Sequence, residues 1–275
     1  MANNPLAQHF RQPKIFVKLP SQGVYSKPGT IQGDVSSIPV YGMTGMDEII
    51  MKTPDALLTG ESNIRVIQSC CPSIKNAKEL SVLDTDLIFT AIRIATFGNE
   101  MKVEKTCPHC QAVGEYVIDL NRLIEHFNGI KFNTDLVLDD IVIKMRPMTY
   151  EQSNDFGLRN FQLQQKLAQA NRLEKEEEQQ KALNDLFVEL GAMQNELYSL
   201  SIESIQTDKI NVTERAYIDE FLQNCDREIF SRIKENFEKN RNELMLPTFN
   251  VECDECHESS DITVTMDQTT FFEVA

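Results

Sequence analysis

The sequence has no tryptophan, only 4 histidines, and far fewer basic side chains (27) than acidic ones (42). The resulting formal charge of −15 repels phosphate backbones and anionic lipids, so we expect protein partners and no nucleic acid. No apolar run approaches the roughly 20 residues that a membrane span requires, and residues 1–5 lack the basic start of a secretion signal. We therefore expect no membrane association and folding in the cytosol.

Sequence motifs of the common enzyme classes are also missing. There is no glycine-rich phosphate loop, no His-Glu-x-x-His, no Gly-x-Ser-x-Gly elbow, and no group of His, Asp and Glu beside a candidate nucleophile. The acidic run at residues 174–178 is typical of a solvated helix face. We expect a protein without enzymatic activity and predict no catalytic or cofactor-binding residues.

Two Cys-x-x-Cys pairs carry the clearest chemistry in the chain. Cys107 and Cys110 form the first, Cys253 and Cys256 form the second, and each pair precedes a small polar turn and a β-rich run. Two such pairs on hairpin tips supply four thiolates, which suit a tetrahedral Zn²⁺ ion. We predict a structural zinc site in a zinc ribbon that is discontinuous, because residues 111–252 lie between its halves.

Other roles for the cysteines remain open at this point. Two redox dithiols would be expected at strand-to-helix turns, and two disulfides would need an oxidising compartment, so we prefer zinc to both. His109 and His257 lie beside the predicted ligands, but we interpret them as solvated loop histidines. We predict that the other cysteines are buried as small hydrophobic side chains; these are Cys70, Cys71 and Cys225.

The order of patterns along the chain predicts an α+β protein with a mixed N-terminal part and a helical insertion. The predicted segments are a flexible N-terminal arm (1–12), an α+β part (13–106), the first half of the zinc ribbon with a helix and a strand (107–148), a helical region (149–246) and the second half of the ribbon (247–275). Within them we expect strands at 14–19, 35–41 and 141–145, capping boxes at Thr44 and Thr149, a short turn from Pro54 to Gly60, helices around 64–70, at 84–96 and at 120–127, a polar connection at 201–211, and a helical pattern over 213–237.

Residues 150–200 contain no proline and carry two seven-residue repeats. The repeated positions are Leu183, Leu190 and Leu197, and Leu186, Met193 and Leu200; an earlier stripe contains Phe156, Leu163, Leu167 and Ala170. We prefer an antiparallel helical hairpin. The alternatives are one long helix that self-associates as a coiled coil through residues 183–200, and an ordinary helix facing the core.

Several N-terminal motifs resemble a known family. They are Leu-Pro-Ser-Gln-Gly-Val-Tyr at 19–25, Pro-Val-Tyr-Gly-Met-Thr-Gly-Met-Asp-Glu-Ile at 39–49, Pro54 with Leu57 and Gly60, the helix at 84–98 with Arg93, and the first cysteine pair. Together they resemble the baseplate hub protein family of T-even-type contractile-tailed phages. Beyond about residue 150 the resemblance is carried by the overall layout and the terminal cysteines.

The resemblance implies a non-enzymatic component of the virion tail baseplate, assembled in the host cytoplasm and bound to other phage baseplate and tail proteins. An alternative is a hub assembly factor that is absent from the mature virion. A less favoured alternative is a phage zinc-ribbon regulator that binds nucleic acid or RNA polymerase; the negative charge argues against its nucleic-acid form.

Overall fold

The computed structural model describes residues 5–53, 60–173, 175–266 and 271–272. Within these ranges the protein is a mixed α and β structure with eight α-helices and four small antiparallel sheets. The chain divides into two compact units. Unit 1 contains residues 1–130 and 245–275, and unit 2 contains the intervening residues 131–244.

The elements follow one another in this order: β1 (Pro13–Val17), β2 (Ile38–Tyr41), α1 (Gly45–Met51), α2 (Glu61–Cys70), α3 (Val82–Phe97), β3 (Glu100–Thr106), β4 (Val113–Asp119), α4 (Asn121–Gly129), β5 (Asp135–Leu138), β6 (Ile141–Met145), α5 (Tyr150–Ala170), α6 (Glu176–Leu200), β7 (Ile202–Thr207), β8 (Asn211–Val212), α7 (Arg215–Asn224), α8 (Arg227–Glu243), β9 (Thr248–Glu252) and β10 (Ser259–Thr263). Short 3₁₀ turns lie at Ala7–His9 and Ala77–Glu79. No helix in the described ranges is long and apolar enough to cross a membrane.

Helix α3 forms the centre of unit 1. Its start is fixed by Ser81, whose hydroxyl accepts a hydrogen bond from the Asp84 N–H. The predicted helix is confirmed, but it is buried on nearly all sides, and polar side chains such as Thr90 and Arg93 lie inside with the aliphatic ones. The Asp84 carboxylate is buried with them and accepts a hydrogen bond from the Ser21 N–H at 3.0 Å. The Asp84 carboxylate and the Thr90 hydroxyl, which donates to the Asp86 carbonyl at 2.9 Å, therefore have partners that the helical periodicity does not reveal.

The N-terminal region includes two stretches outside the described residues. Residues 1–4 of the predicted arm and residues 54–59 of the predicted turn are among them. Further along the arm, the Arg11 guanidinium donates to the carbonyl oxygens of Gly42 and Ser69, both at 2.7 Å. The capping box predicted at Thr44 is confirmed, with Asp47 as its third helical residue.

Unit 2 is built on the four-stranded antiparallel sheet β5-β6-β7-β8. The polar connection predicted at 201–211 is wrong, because β7 and β8 occupy most of it. Ile202 and Ile205 of β7 are buried against α7 and α8. Glu203 and Ser204 separate these two isoleucines by three positions, which does not match the alternation that a strand normally shows.

The helical pattern predicted over 213–237 is confirmed, but the chain forms two helices, α7 and α8, with a break between them. Cys225 is extended at the break, and the Asp226 carboxylate accepts hydrogen bonds from the N–H groups of Glu228 and Ile229, both at 2.9 Å. The cap at Asp226 starts a new helix, although the apolar stripe in the sequence continues across the break. Cys225 is consequently only half-buried, whereas Cys70 and Cys71 are fully buried as predicted.

Helices α5 and α6 form the predicted antiparallel hairpin. Thr149 and Gln152 make the predicted capping box at its start. Leu163 and Ala170 of α5 pack on Leu186 and Met193 of α6 in a small core. The alternative of one long helix is wrong, because α5 ends at Ala170 and α6 begins at Glu176.

Candidate metal centre

Both cysteine pairs lie on the tips of two-stranded hairpins in unit 1. The β3–β4 ladder ends at the pair Thr106 and Val113, and the β9–β10 ladder ends at Glu252 and Ser259. Each hairpin therefore has a six-residue loop that begins at its first cysteine, and the second strand follows directly after this loop. The strands place the four predicted ligands at equivalent positions in the two hairpins.

The two loops have the same backbone hydrogen bonds. The first cysteine N–H donates to the carbonyl five residues later, from Cys107 to Ala112 at 2.8 Å and from Cys253 to Glu258 at 3.1 Å. The residue that follows the second cysteine has a left-handed backbone, with φ of 63° at Gln111 and 60° at His257. This local geometry turns both sulfurs of each pair toward one point. Neither position is a glycine, so the sequence does not mark the turn.

The four sulfur atoms form one cluster, in which all Sγ atoms lie within 4.8 Å of one another. Cys107 and Cys256 are 3.7 Å apart, as are Cys110 and Cys253. Disulfide sulfurs are about 2.05 Å apart, so these cysteines are free thiols. Tetrahedral Zn–S bonds of about 2.3 Å place neighbouring sulfurs about 3.8 Å apart. The spacing of the donor atoms fits a tetrahedral metal ion.

Backbone dipoles favour the thiolate form of the first cysteine in each pair. The N–H groups of Cys256 and Glu255 lower the pKa of Cys253 to about 6, and those of Cys110 and His109 lower the pKa of Cys107. The Glu258 N–H acts in the same direction on Cys256, but burial and the three neighbouring sulfurs raise its pKa to about 12. Four adjacent thiolates repel one another, and a divalent cation at their centre removes that repulsion.

Two residues of β4 support the cluster without being ligands. The Tyr116 side chain is buried beside the cluster, and burial and the neighbouring Cys253 thiol raise the pKa of Tyr116. A Cβ atom on Gly114 would lie 2.8 Å from the Tyr116 hydroxyl oxygen, so glycine leaves room for the ring. The sequence analysis did not identify either residue. Their i, i+2 spacing behind the first cysteine pair places them on one face of the strand and could have identified them.

The histidines beside the ligands stay outside the cluster. His109 is exposed, and His257 is exposed with its Nδ1 atom 3.1 Å from the Glu252 carboxylate. Among the described residues, the four cysteines are the one group of three or more His, Cys, Asp or Glu side chains that could hold a metal ion. The structure thus brings all four predicted ligands together, and their chemistry suits a soft cation.

Comparison with known proteins identifies one related family. The family model described as "T4 bacteriophage base plate protein" matches residues 46–273, a range that includes both cysteine pairs and all of unit 2. Searches of curated proteins and of solved structures found no match.

Proposed function

The chain belongs to the T4 bacteriophage base plate protein family, and on this premise we propose that it is a structural, non-enzymatic subunit of a contractile phage tail baseplate. It acts by binding other baseplate and tail proteins. The observation that carries this proposal is the family match over residues 46–273, which spans both units of the chain. The strong negative charge of the chain supports protein partners in preference to nucleic acid.

Within this role, the four cysteines bind one structural Zn²⁺ ion and join the two hairpins into a zinc ribbon. Four thiolates complete the tetrahedral shell of zinc, so no coordination position is left for water or substrate. A closed site of this kind stabilises a fold and performs no reaction. This argument supports a protein without enzymatic activity.

The hairpins need the metal because each is a two-stranded sheet, which is marginally stable by itself. The polypeptide leaves unit 1 after Ile130 and returns at Met245, so the ribbon closes a loop that contains all of unit 2. The direct contacts from the first-hairpin region to the second include the Lys105 amine donating to the Asp261 carbonyl and the Arg122 guanidinium 5.1 Å from the centre of the Phe249 ring. A bound ion holds the two hairpins together more strongly than these surface contacts do.

The metal is tested on purified protein by elemental analysis and thermal unfolding. We expect one zinc per chain. Cys107→Ser and Cys253→Ser should lose the metal and most of the stability of unit 1, because structural zinc contributes on the order of 10 kcal/mol. His257→Ala is the matched control, since it changes an exposed neighbour of a ligand and should retain zinc. A melting temperature that a chelator leaves unchanged, or iron in place of zinc, would contradict the assignment.

The structural role is tested by quantitative mass spectrometry on purified, intact phage particles. We expect this chain at a fixed ratio to a tail protein of known copy number. Abundance in infected cells together with absence from particles would instead support a hub assembly factor.

We place the subunit in or beside the baseplate hub, on the resemblance carried by residues 19–25 and 39–49. Cross-linking followed by mass spectrometry on isolated baseplates tests this position. Cross-links to proteins of the central hub are expected, and cross-links confined to the peripheral wedges would contradict it.

A further inference from the structure

Positive charge is concentrated near the start of the chain. The first 33 residues contain no aspartate or glutamate, although the whole chain carries a formal charge of −15. The basic residues of this stretch are Arg11, Lys14, Lys18 and Lys27. Arg11 pairs with Asp47 at 3.3 Å. Lys27 pairs with Glu79 at 2.7 Å. Lys14 and Lys18 form no ion pair with any residue that the structure describes.

These two lysines flank an exposed phenylalanine on β1. Residues at alternate positions of a strand share one face of the sheet, so Lys14, Phe16 and Lys18 point to the same side. Phe16 is 62% exposed, and both lysines are exposed as well. Val17 and Leu19 point to the other side, where they are buried. The outer face of β1 therefore presents one large apolar side chain between two positive charges.

The backbone of β1 is also open along one edge. β1 pairs with β2 in a two-stranded sheet, and Phe16 lies opposite Pro39. Because proline has no N–H, this pair is of the kind that exchanges no hydrogen bonds, and the N–H and C=O of Phe16 point away from β2. Within the described ranges, no other strand pairs with β1 and no backbone hydrogen bond reaches Phe16 from outside the sheet. These backbone groups can therefore pair with an added strand.

The opposite edge of the sheet lacks this capacity. Pro39 of β2 offers no N–H to that edge, and a proline on an edge strand interrupts regular pairing. β1 is in addition held at both ends. Before the strand, the Arg11 guanidinium donates to the Ser69 carbonyl at 2.7 Å, and after it the Leu19 N–H donates to the Val35 carbonyl at 3.0 Å. The outer edge of β1 is thus a preformed surface, which lowers the entropy cost of binding.

We propose that the outer edge of β1 binds an extended acidic segment of a partner protein as an added strand. The segment places an apolar side chain opposite Phe16 and an acidic one two positions to either side, opposite Lys14 and Lys18, because cross-strand neighbours on one face contact each other. In this mode of recognition, backbone hydrogen bonds supply affinity and the side chains at alternate positions supply specificity. The proposal does not depend on the baseplate role, because it rests on the chemistry of this surface.

The charges on this edge select the partner. A second copy of β1 would bring lysine opposite lysine, so like-charge repulsion disfavours self-pairing of the edge. A nucleic acid extends beyond the two lysines and meets the negative charge of the rest of the chain, which repels phosphates. A short acidic segment contacts only the local lysines, and at physiological salt their attraction acts within about 8 Å. An acidic protein segment therefore fits this edge best.

The test is fluorescence anisotropy with the full-length protein and the labelled peptide Thr-Glu-Thr-Val-Thr-Glu-Thr. We expect this peptide to bind, and the same peptide with glutamine at both glutamate positions to bind about tenfold more weakly, because the charged contacts are lost. Lys18→Glu should weaken binding of the acidic peptide by about tenfold or more for the same reason. Lys209→Glu makes the same change of charge at an exposed position between β7 and β8 and should bind like the wild type. Absence of peptide binding, equal effects of the two variants, or tighter binding of a single-stranded oligothymidylate would overturn the proposal.

Amide hydrogen exchange tests the geometry of the bound peptide. In the free protein the Phe16 amide should exchange faster than the Val17 amide, whose N–H faces β2. Saturation with the acidic peptide should slow exchange at Phe16 to the rate seen at Val17. Phe16→Ala should weaken binding, whereas Val24→Ala, which also shortens an exposed side chain, should not. Peptide binding that leaves exchange at Phe16 unchanged would show that the lysines hold the peptide by charge alone, and would overturn the added strand.

Discussion

At the scale of single residues, Gly114 and Tyr116 show how residues that are not ligands can support a metal site. Tyr116 is a large side chain that is buried beside the cluster, and a Cβ atom at residue 114 would lie 2.8 Å from its hydroxyl oxygen. Side chains packed around metal ligands orient them and control the access of solvent to the site. The pair therefore contributes to metal retention without contacting the ion.

We predict that Tyr116→Phe releases zinc to a coloured chelator about tenfold faster than the wild type, since it removes the hydroxyl group that lies beside the Cys253 thiol. Gly114→Ala should have a similar effect, because its methyl group would displace the tyrosine hydroxyl. Val117→Ala is the control on the same strand, where the side chain is 57% exposed. Equal release rates in all three variants would show that the tyrosine does not support the site.

A second residue-scale prediction concerns Asp86 on α3. Burial raises the pKa of its carboxyl from 3.8 to about 7. Between these two pH values the folded state holds a proton that the unfolded state has lost, so the free energy of unfolding falls as the pH rises. The full shift corresponds to at most about 4 kcal/mol, and a side chain with some solvent contact should show about 1–2 kcal/mol.

We therefore expect Asp86→Asn to gain about 1–2 kcal/mol over the wild type between pH 4 and pH 8. The measurement is urea unfolding at a series of pH values. The gain should develop across the window from about 4 to about 7 and then level off. Stability curves that stay parallel across this window would contradict the argument.

At the scale of secondary-structure elements, the α5–α6 hairpin has little internal support. Its core consists of four buried residues: Leu163, Ala170, Leu186 and Met193. The exposed ion pairs beside them contribute only about 0–1 kcal/mol each. The hairpin should therefore open locally while the sheet of unit 2, which has a larger core of its own, stays folded.

We predict that Leu186→Ala destabilises the hairpin by about 2–3 kcal/mol, because it leaves a cavity in a core of four residues. Hydrogen exchange should accelerate along α5 and α6 and remain unchanged in β6 and β7. Val188→Ala, at an exposed position, is the control. Faster exchange throughout the sheet would show that the hairpin and the sheet unfold as one unit.

At the scale of the whole molecule, the chain inserts one compact unit into another. Unit 2 has a core made from its own sheet and helices, with Tyr198, Ile202 and Ile233 among its most buried side chains. Its stability should consequently be independent of the zinc ribbon, although the ribbon closes the loop that contains it.

We predict that residues 131–244 expressed alone fold into a zinc-free protein with cooperative unfolding. Unit 1, with this segment replaced by a flexible glycine-serine linker, should still bind one zinc. Circular dichroism melting tests the first fragment and elemental analysis tests the second. An unfolded 131–244 fragment would show that unit 2 depends on unit 1.

The sequence alone determined the features that a few neighbouring residues specify. Each Cys-x-x-Cys pair identifies two candidate metal ligands at one hairpin tip, and Thr149 with Gln152 encodes the start of α5. Such signals are local, because the hydrogen bonds that they make join residues only three to five positions apart. The family resemblance likewise came from short runs in the N-terminal half and is confirmed by the match over residues 46–273.

Tertiary structure alone decided the features that depend on distant residues. It buried α3 on nearly all sides, made a strand of Ile202–Thr207, and brought Tyr116 to Cys253. It also packed Leu186 and Met193 inside the hairpin and left Phe187 exposed. The periodicity of a helix shows which residues share a face, but what covers that face depends on long-range packing. The physical reason is that burial depends on the whole fold, whereas capping and loop geometry depend on neighbours in the chain.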